Sequence, residues 1–256
     1  MLQRGLVPTT ARTVVCKMNG GGSGGTFASV FNIFESLSVA QLVETLNPYY
    51  LCPRDAFNKI AQPASAWVRF QAGDRFLPFY DSICKRWCMP FVMQAIDTRV
   101  VNRSNALSGW RYGRDFVYSE GMAVPLVGAL ASALLTPLFG ALMLLSFARN
   151  IIKAFLPPPG SGPSEEAQAA GYFHMKLWGT GRDRNGKEVT VQGRLDAPNG
   201  DPGYKQTAVM VCEAGVCLAL DGDKSPKVYG LLTPSTGLGE PLRERLEAAN
   251  IKISID

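Results

Sequence analysis

Apolar and polar positions change period several times along this chain, and each change marks an element. RTVVCKM, over 12–18, has the β-branched, apolar character of a strand. GGGSGG follows, then a segment from Thr26 whose Phe27, Val30, Phe31 and Phe34 fall on one helical face. Residues 39–46 predict a second short helix ending before Pro48. Loop sequence runs to about Pro63, 66–70 reads as a strand, and 89–107 reads as a helix with Pro90 in its first turn. A strand over 114–118 leads into the most apolar part of the chain. Further on, 172–179 and 188–195 alternate as strands, and Asn185-Gly186 between them signals a hairpin. Asp201-Pro202-Gly203 starts a helix carrying Ala208, Val211, Cys212, Gly215 and Leu218 at helical spacing. A short buried strand over 228–232, an amphipathic helix over 240–250 and an alternating strand (Ile251, Ile253, Ile255) complete the reading. Strands interleaved with helices predict an α+β or α/β class: a mixed β-sheet packed by helices, with one long apolar helix.

That helix is the run 122–148, 27 residues without a formal charge. As one helix it would be about 40 Å long, more than the roughly 30 Å hydrocarbon layer of a bilayer. Pro125 and Pro137 predict a bend, and Gly128, Ser132, Thr136 and Gly140 form a stripe of small residues. Length and lack of charge favour membrane contact over a helix pair buried in a soluble core. FLPPPGSGPSEEAQAAG then reads as a linker, with Glu165 and Glu166 suited to the first turn of a short helix. The predicted organisation is 1–121, the apolar segment 122–156, the linker 157–170, and 171–256.

Composition narrows the chemistry. The net charge of +5 comes from scattered residues with no basic run, so nucleic acid is not an expected partner. Six cysteines form no CxxC pair, and His174 is the only histidine, so neither a zinc site nor a histidine-dependent triad is expected. Free thiols in a reducing compartment are the simpler reading. The first 20 residues lack the apolar core of a secretory signal, so the expectation is an intracellular protein, not a secreted one.

Gly20, Gly22 and Gly25 fit GxGxxG between a strand and a helix, where amide donors and the helix dipole would favour a phosphate. The run is partly compositional, and no acidic residue ends a second strand about 20 residues on. A tight loop that lets backbone approach a ligand held elsewhere is the other reading. Asp97, Arg99 and Arg103 share the 89–107 helix; they could face an anionic substrate, but a solvated charged face is the expectation. Tyr204 could donate a proton or simply pack, and Thr233 to Thr236 (TPST) reads as a helix cap. No paired carboxylates, nucleophile elbow or metal cluster stands out.

GGGSGGTFAS, MPFVMQAIDTRVVNRS, PGSGPSEEAQAAGYF, DPGYKQTAVMVCEAGVCLALD and GLLTPSTGLGEPLRERLEAANIKISI occur in this order. With these segments the chain resembles the saccharopine dehydrogenase-like oxidoreductases, which include trans-acting enoyl reductases of glycolipid synthesis. The resemblance implies the second, substrate domain of a two-domain oxidoreductase whose N-terminal Rossmann domain carries the NAD(P) loop. It further implies that NAD(P) is the cofactor, though not bound by this chain alone; the cysteine and histidine pattern leaves no metal expected. The expected partners are a lipid-like substrate, a membrane or lipid surface (a lipid droplet or mitochondrion) and a second copy in a homodimer. Ser23, Thr26, Asp201, Gly203 and Tyr204 are then candidates to line the substrate cleft, with Gly20, Gly22 and Gly25 for the cofactor. The competing expectations are a non-enzymatic lipid-surface adaptor and a free-standing enzyme that uses 20–25 for nucleotide.

Overall fold

The computed structural model describes Met1, residues 5–53 and residues 74–256. The strand predicted over 66–70 lies outside the described residues, as does the end of the predicted loop before it. Seven strands form one sheet: β1 (Val7–Asn19), β2 (Phe79–Asp81), β3 (Arg86–Met89), β4 (Val117–Ala123), β5 (Tyr172–Arg182), β6 (Glu188–Ala197) and β7 (Lys252–Ile255). Their order is β2-β3-β4-β1-β5-β6-β7. β1 and β4 are parallel, and every other neighbouring pair is antiparallel. Nine helices accompany them among the described residues: α1 (Gly24–Ser36), α2 (Val39–Thr45), α3 (Gln94–Leu107), α4 (Leu126–Leu144), α5 (Ser146–Ala154), α6 (Glu165–Ala169), α7 (Lys205–Leu220), α8 (Pro234–Gly237) and α9 (Gly239–Ala248). This is a mixed sheet of the α/β class, and strands from both sides of the proline linker share it.

The β5–β6 hairpin forms where Asn185-Gly186 predicts it. Gly186 takes a positive φ of 77°, and Asp183 N–H donates to the Lys187 carbonyl. Alternation along these strands gives the sheet two different faces. One carries Phe173, Met175 and Leu195, which pack with Ala197 and Ile251 against Val209 and Met210 of α7 and Leu246 of α9. By register Thr13 of β1 and Glu120 of β4 share this face, and α3 lies over them. The other face carries Val14, Cys88 and Trp178, flanked by Cys16, Phe79 and Cys84. Here Arg12 pairs with the fully buried Asp81, whose other oxygen accepts the Ile83 and Cys84 N–H groups at 2.9 Å.

Three expectations change. The predicted helix 89–107 begins only at Gln94, because residues 86–89 are drawn into the sheet, with Cys88 opposite Ala123, and Pro90 lies just beyond that strand. The run 228–232 is an exposed loop, with Tyr229 and Leu231 at 89% and 82% exposure. Gly230 there has φ +118°, which breaks an extended path, and β7 already occupies the neighbouring edge of β6. The apolar run 122–148 divides among β4, α4 and α5, with Leu145 in extended conformation between the helices.

α4 is long and apolar enough to cross a membrane by length and composition. It is apolar all round, yet only Ala129, Ser132 and Met143 are buried. Val127, Leu130, Leu134 and Leu138 stand exposed along it, and Phe147, Ile151 and Phe155 continue the exposed apolar surface on and just beyond α5. A core helix would have its apolar circumference covered; this one does not.

Candidate substrate-binding site

The fold brings together the glycine loop, the DPG turn and the proline linker, three segments far apart in sequence. The Ser161 carbonyl is their junction, accepting the Gly24 N–H at 3.1 Å and the Tyr204 hydroxyl at 3.1 Å. A side chain on Gly20 would meet the Pro202 ring at 2.7 Å, one on Gly22 the Phe27 ring at 2.7 Å, and one on Gly24 the Pro158 carbonyl oxygen at 1.9 Å. Gly203 approaches the Gly21 carbonyl. The glycines thus let backbone pack on backbone and on proline rings. Gly25 is less confined, with only Ser23 Oγ nearby at 3.7 Å.

Ser23 caps α1: its Oγ accepts the Thr26 N–H at 2.8 Å and lies 2.8 Å from the Thr26 hydroxyl. Asp201 is fully buried and accepts three backbone N–H groups, from Gly203 at 3.1 Å, Tyr204 at 3.0 Å and Lys205 at 3.0 Å. It holds the turn that starts α7, and Tyr204 reaches from that turn to the linker. Replacing Asp201 with Ala is expected to lower stability by about 3 kcal/mol or more, since three amides would lose a charged acceptor in a buried place. Thermal unfolding of D201A, read by circular dichroism, checks this; an unchanged Tm would refute the capping role.

These contacts bear on a nucleotide cofactor. The α1 amides of Gly24 and Thr26 are already taken by Ser161 and Ser23, and the loop is filled by Pro202, Pro163 and Phe27. The strand after α1 and α2 among the described residues is β2, which is not β1's parallel neighbour. The residues at 20–25 therefore do not fit a dinucleotide pyrophosphate. Beside the loop is a groove of about 350 Å³ lined by Phe27, Ala28, Phe31, Leu156, the three prolines and Lys153. Its lining is mostly apolar. Lys153 extends over the Phe31 ring and pairs with Glu35 at 2.5 Å. Such a groove can hold an alkyl chain and exclude water.

A second cluster lies under α3 and was not legible as paired carboxylates. The Tyr118 hydroxyl donates to Glu120 and lies 3.1 Å from the Thr13 hydroxyl, while Asp97 reaches the Glu120 carboxyl from α3. Burial pushes Glu120 up to about 8, with the neighbouring Asp97 charge adding to it, and burial raises Asp97 as well. Burial and the Glu120 charge raise Tyr118. One oxygen of Glu120 has no donor, as expected if it faces the other carboxyl and a single proton lies between them. The signal in the sequence is Glu120 two residues after Tyr118 in a strand, which puts both on one face; Asp97 comes near only through packing. The solvated charged face expected for α3 is corrected here. Arg99 is buried, paired with Asp74 and donating to the Thr45 carbonyl at 2.8 Å and 3.1 Å. Arg103 donates to the carbonyls of Leu51 and Leu231. Both guanidiniums tie α3 to neighbouring segments, Arg99 to the end of α2. Thr233 caps α8 with Thr236, and its hydroxyl meets Ser104 of α3 at 2.8 Å.

No protein-family model matches the chain, and no solved structure matches it significantly. Curated relatives do. A Mycobacterium tuberculosis H37Rv protein, named provisionally as a trans-acting enoyl reductase, is 34% identical over 96% of this chain and 59% of its own length. A trans-acting enoyl reductase of Mycobacterium bovis BCG is 33% identical over 64% of this chain and 40% of its own. One from Mycobacterium leprae is 34% identical over 65% and 40%. The chain thus spans about three-fifths, or less, of the curated relatives it matches, and those relatives are named as trans-acting enoyl reductases.

Proposed function

We propose that this chain is the substrate-binding and lipid-contacting part of a saccharopine dehydrogenase-like, NAD(P)-dependent oxidoreductase acting on a lipid or glycolipid precursor, and that alone it is inactive. The observation that carries this is the uncovered apolar surface of α4 and α5 beside the groove between α1 and the prolines. A greasy chain would pass from a lipid surface to Phe27 and Phe31 without crossing water, which removes the main cost of handling such a substrate. The names of the relatives supply the reaction class: an enoyl group is reduced by a hydride and a proton. A nicotinamide would supply the hydride when bound. Because 20–25 does not fit a pyrophosphate, that cofactor is assigned to a part of the full enzyme other than this loop. This chain's own contribution is to hold the substrate and exclude water.

Two measurements on the purified chain test the reading. Calorimetry with NADPH is expected to show no saturable binding, and flotation with phospholipid vesicles is expected to carry the chain upward. Tight NADPH binding would make the chain a free-standing nucleotide enzyme and end the proposal. Full solubility without detergent, together with failure to float, would remove its lipid half. The filled glycine loop also favours a second reading, a non-enzymatic adaptor on a lipid surface. A homologue carrying the remaining two-fifths of the relatives' length separates the two: enoyl reduction by the joined parts supports the enzyme.

A further inference from the structure

The sheet face opposite α3, α7 and α9 holds a concavity that none of this chemistry uses. It measures about 290 Å³ and is lined by Cys16, Lys17, Cys84, Arg86, His174 and Lys176. A β-bulge builds it. Val15 pairs with Met175 and Lys17 pairs with His174, so Cys16 is the extra residue between two successive pairs. Strict alternation from Val15 would place Lys17 on the helix-covered face, beside Val15. The bulge instead places it opposite His174, on the same face as Lys176. Arg86 enters from β3, beyond the turn that holds Cys84.

The charges converge and are not neutralised. Lys17, Arg86 and Lys176 make no ion pair among the described residues, nor does Arg194, which sits directly opposite Lys176 on β6. Like charges directly opposite each other across an antiparallel pair are destabilising. Two carboxylates on this face are already engaged: Asp81 holds Arg12 and two backbone amides, and Asp196 holds His174 Nδ1 at 2.9 Å. Asp196 thereby fixes the imidazole orientation. The floor is apolar, with Trp178 and Val14 buried beside the thiols of Cys16 and Cys84. Burial raises Cys84, so its thiol is neutral and does not compete for the cations.

We propose that this pocket is a phosphoryl-binding site, taking a phosphate monoester through Lys17, Arg86 and Lys176, with Arg194 at its edge and His174 held ready as a further donor. A doubly charged, compact anion matches three convergent cations and removes the Lys176–Arg194 repulsion. The proposal does not depend on the lipid-oxidoreductase reading, since it uses none of the groove residues.

Trp178 lies under the pocket and is one of four tryptophans in the chain. The purified chain is titrated with glycerol 3-phosphate, and with vesicles of phosphatidic acid or phosphatidylcholine, while binding heat, tryptophan emission and Tm are followed. Saturable binding of the free monoester, with a raised Tm and weakening as salt increases, is expected. Lys17→Gln and Lys176→Gln should each weaken binding about tenfold, while the remote Lys224→Gln leaves it unchanged. Lys176→Gln should also raise the Tm of the unliganded chain, which shows that the variant folds and that the like-charge pair costs stability. Binding to phosphatidic acid vesicles alone, lost in the same variants, would support the site and assign the phosphoryl group to a lipid headgroup. Absence of binding in every arm, or binding indifferent to both pocket lysines, would overturn it.

Discussion

Between pH 5 and pH 8 this chain is expected to become less stable as the pH rises, and Glu120→Gln is expected to remove most of that slope. Glu120 titrates near 8 in the folded protein, against 4.5 for an unburied glutamate, and Asp97 is raised beside it. Above the ordinary carboxylate range the unfolded chain has given up this proton while the folded chain still holds it. The folded state then binds more protons, and stability falls with pH until the folded group also ionises. The loss across the window is on the order of 3 kcal/mol, or roughly 5–10 °C in Tm for a chain of this size. Other shifted groups act elsewhere. The buried thiols of Cys52 and Cys88 are pushed up to about 11 and about 12 and matter only above pH 9, and the lowered carboxyls of Asp81 and Glu240 matter only in acid. A glutamine at 120 keeps the shape, accepts from Tyr118 and donates to Asp97 without titrating. Thermal melts of both proteins at pH 5, 6, 7 and 8 decide it: a flat wild-type profile, or one that E120Q leaves unaltered, would rule out a shared proton.

A pair of lysines on α4 should abolish attachment to vesicles while sparing the fold. Leu130 and Leu134 are 63% and 70% exposed, one helical turn apart, on the face that no part of the described chain covers. Moving one lysine from water into the centre of an apolar layer costs about 2.5–3.5 kcal/mol, which is roughly a hundredfold in partitioning per residue. L130K/L134K should therefore remain in the aqueous fraction in flotation where the parent chain rises. Its Tm should be nearly unchanged, or its solubility improved, because neither leucine contributes to the core. Loss of folding in the double variant would mean that this face is covered by protein instead, and flotation equal to the parent would place lipid contact elsewhere.

The two carboxyls and the apolar helix show how differently the parts of this chain could be read. α4 was visible because a long uncharged run survives any local error in placing helix ends. The β5–β6 hairpin was visible because Asn-Gly is one of the few dipeptides that readily takes the turn those strands need. The failures share a cause. Residues 228–232 have the apolar character of a strand but pair with no strand of the sheet, and Met89 has helical neighbours yet is captured by β4. Strand formation depends on a partner that local sequence does not name.

Sequence alone determined the alternation of strands and helices, the uncharged segment and the likeness to longer reductases, since these rest on period, composition and order along the chain. Tertiary structure decided that the glycine loop is filled by Pro202, Pro163 and Phe27, that Arg99 and Arg103 tie α3 to neighbouring segments, and that Asp97 meets Glu120 under that helix. It also decided that one bulged residue, Cys16, sets Lys17 beside Lys176. Each of these depends on the register or packing of segments tens of residues apart, where a shift of a single position sends a side chain to the opposite face of the sheet.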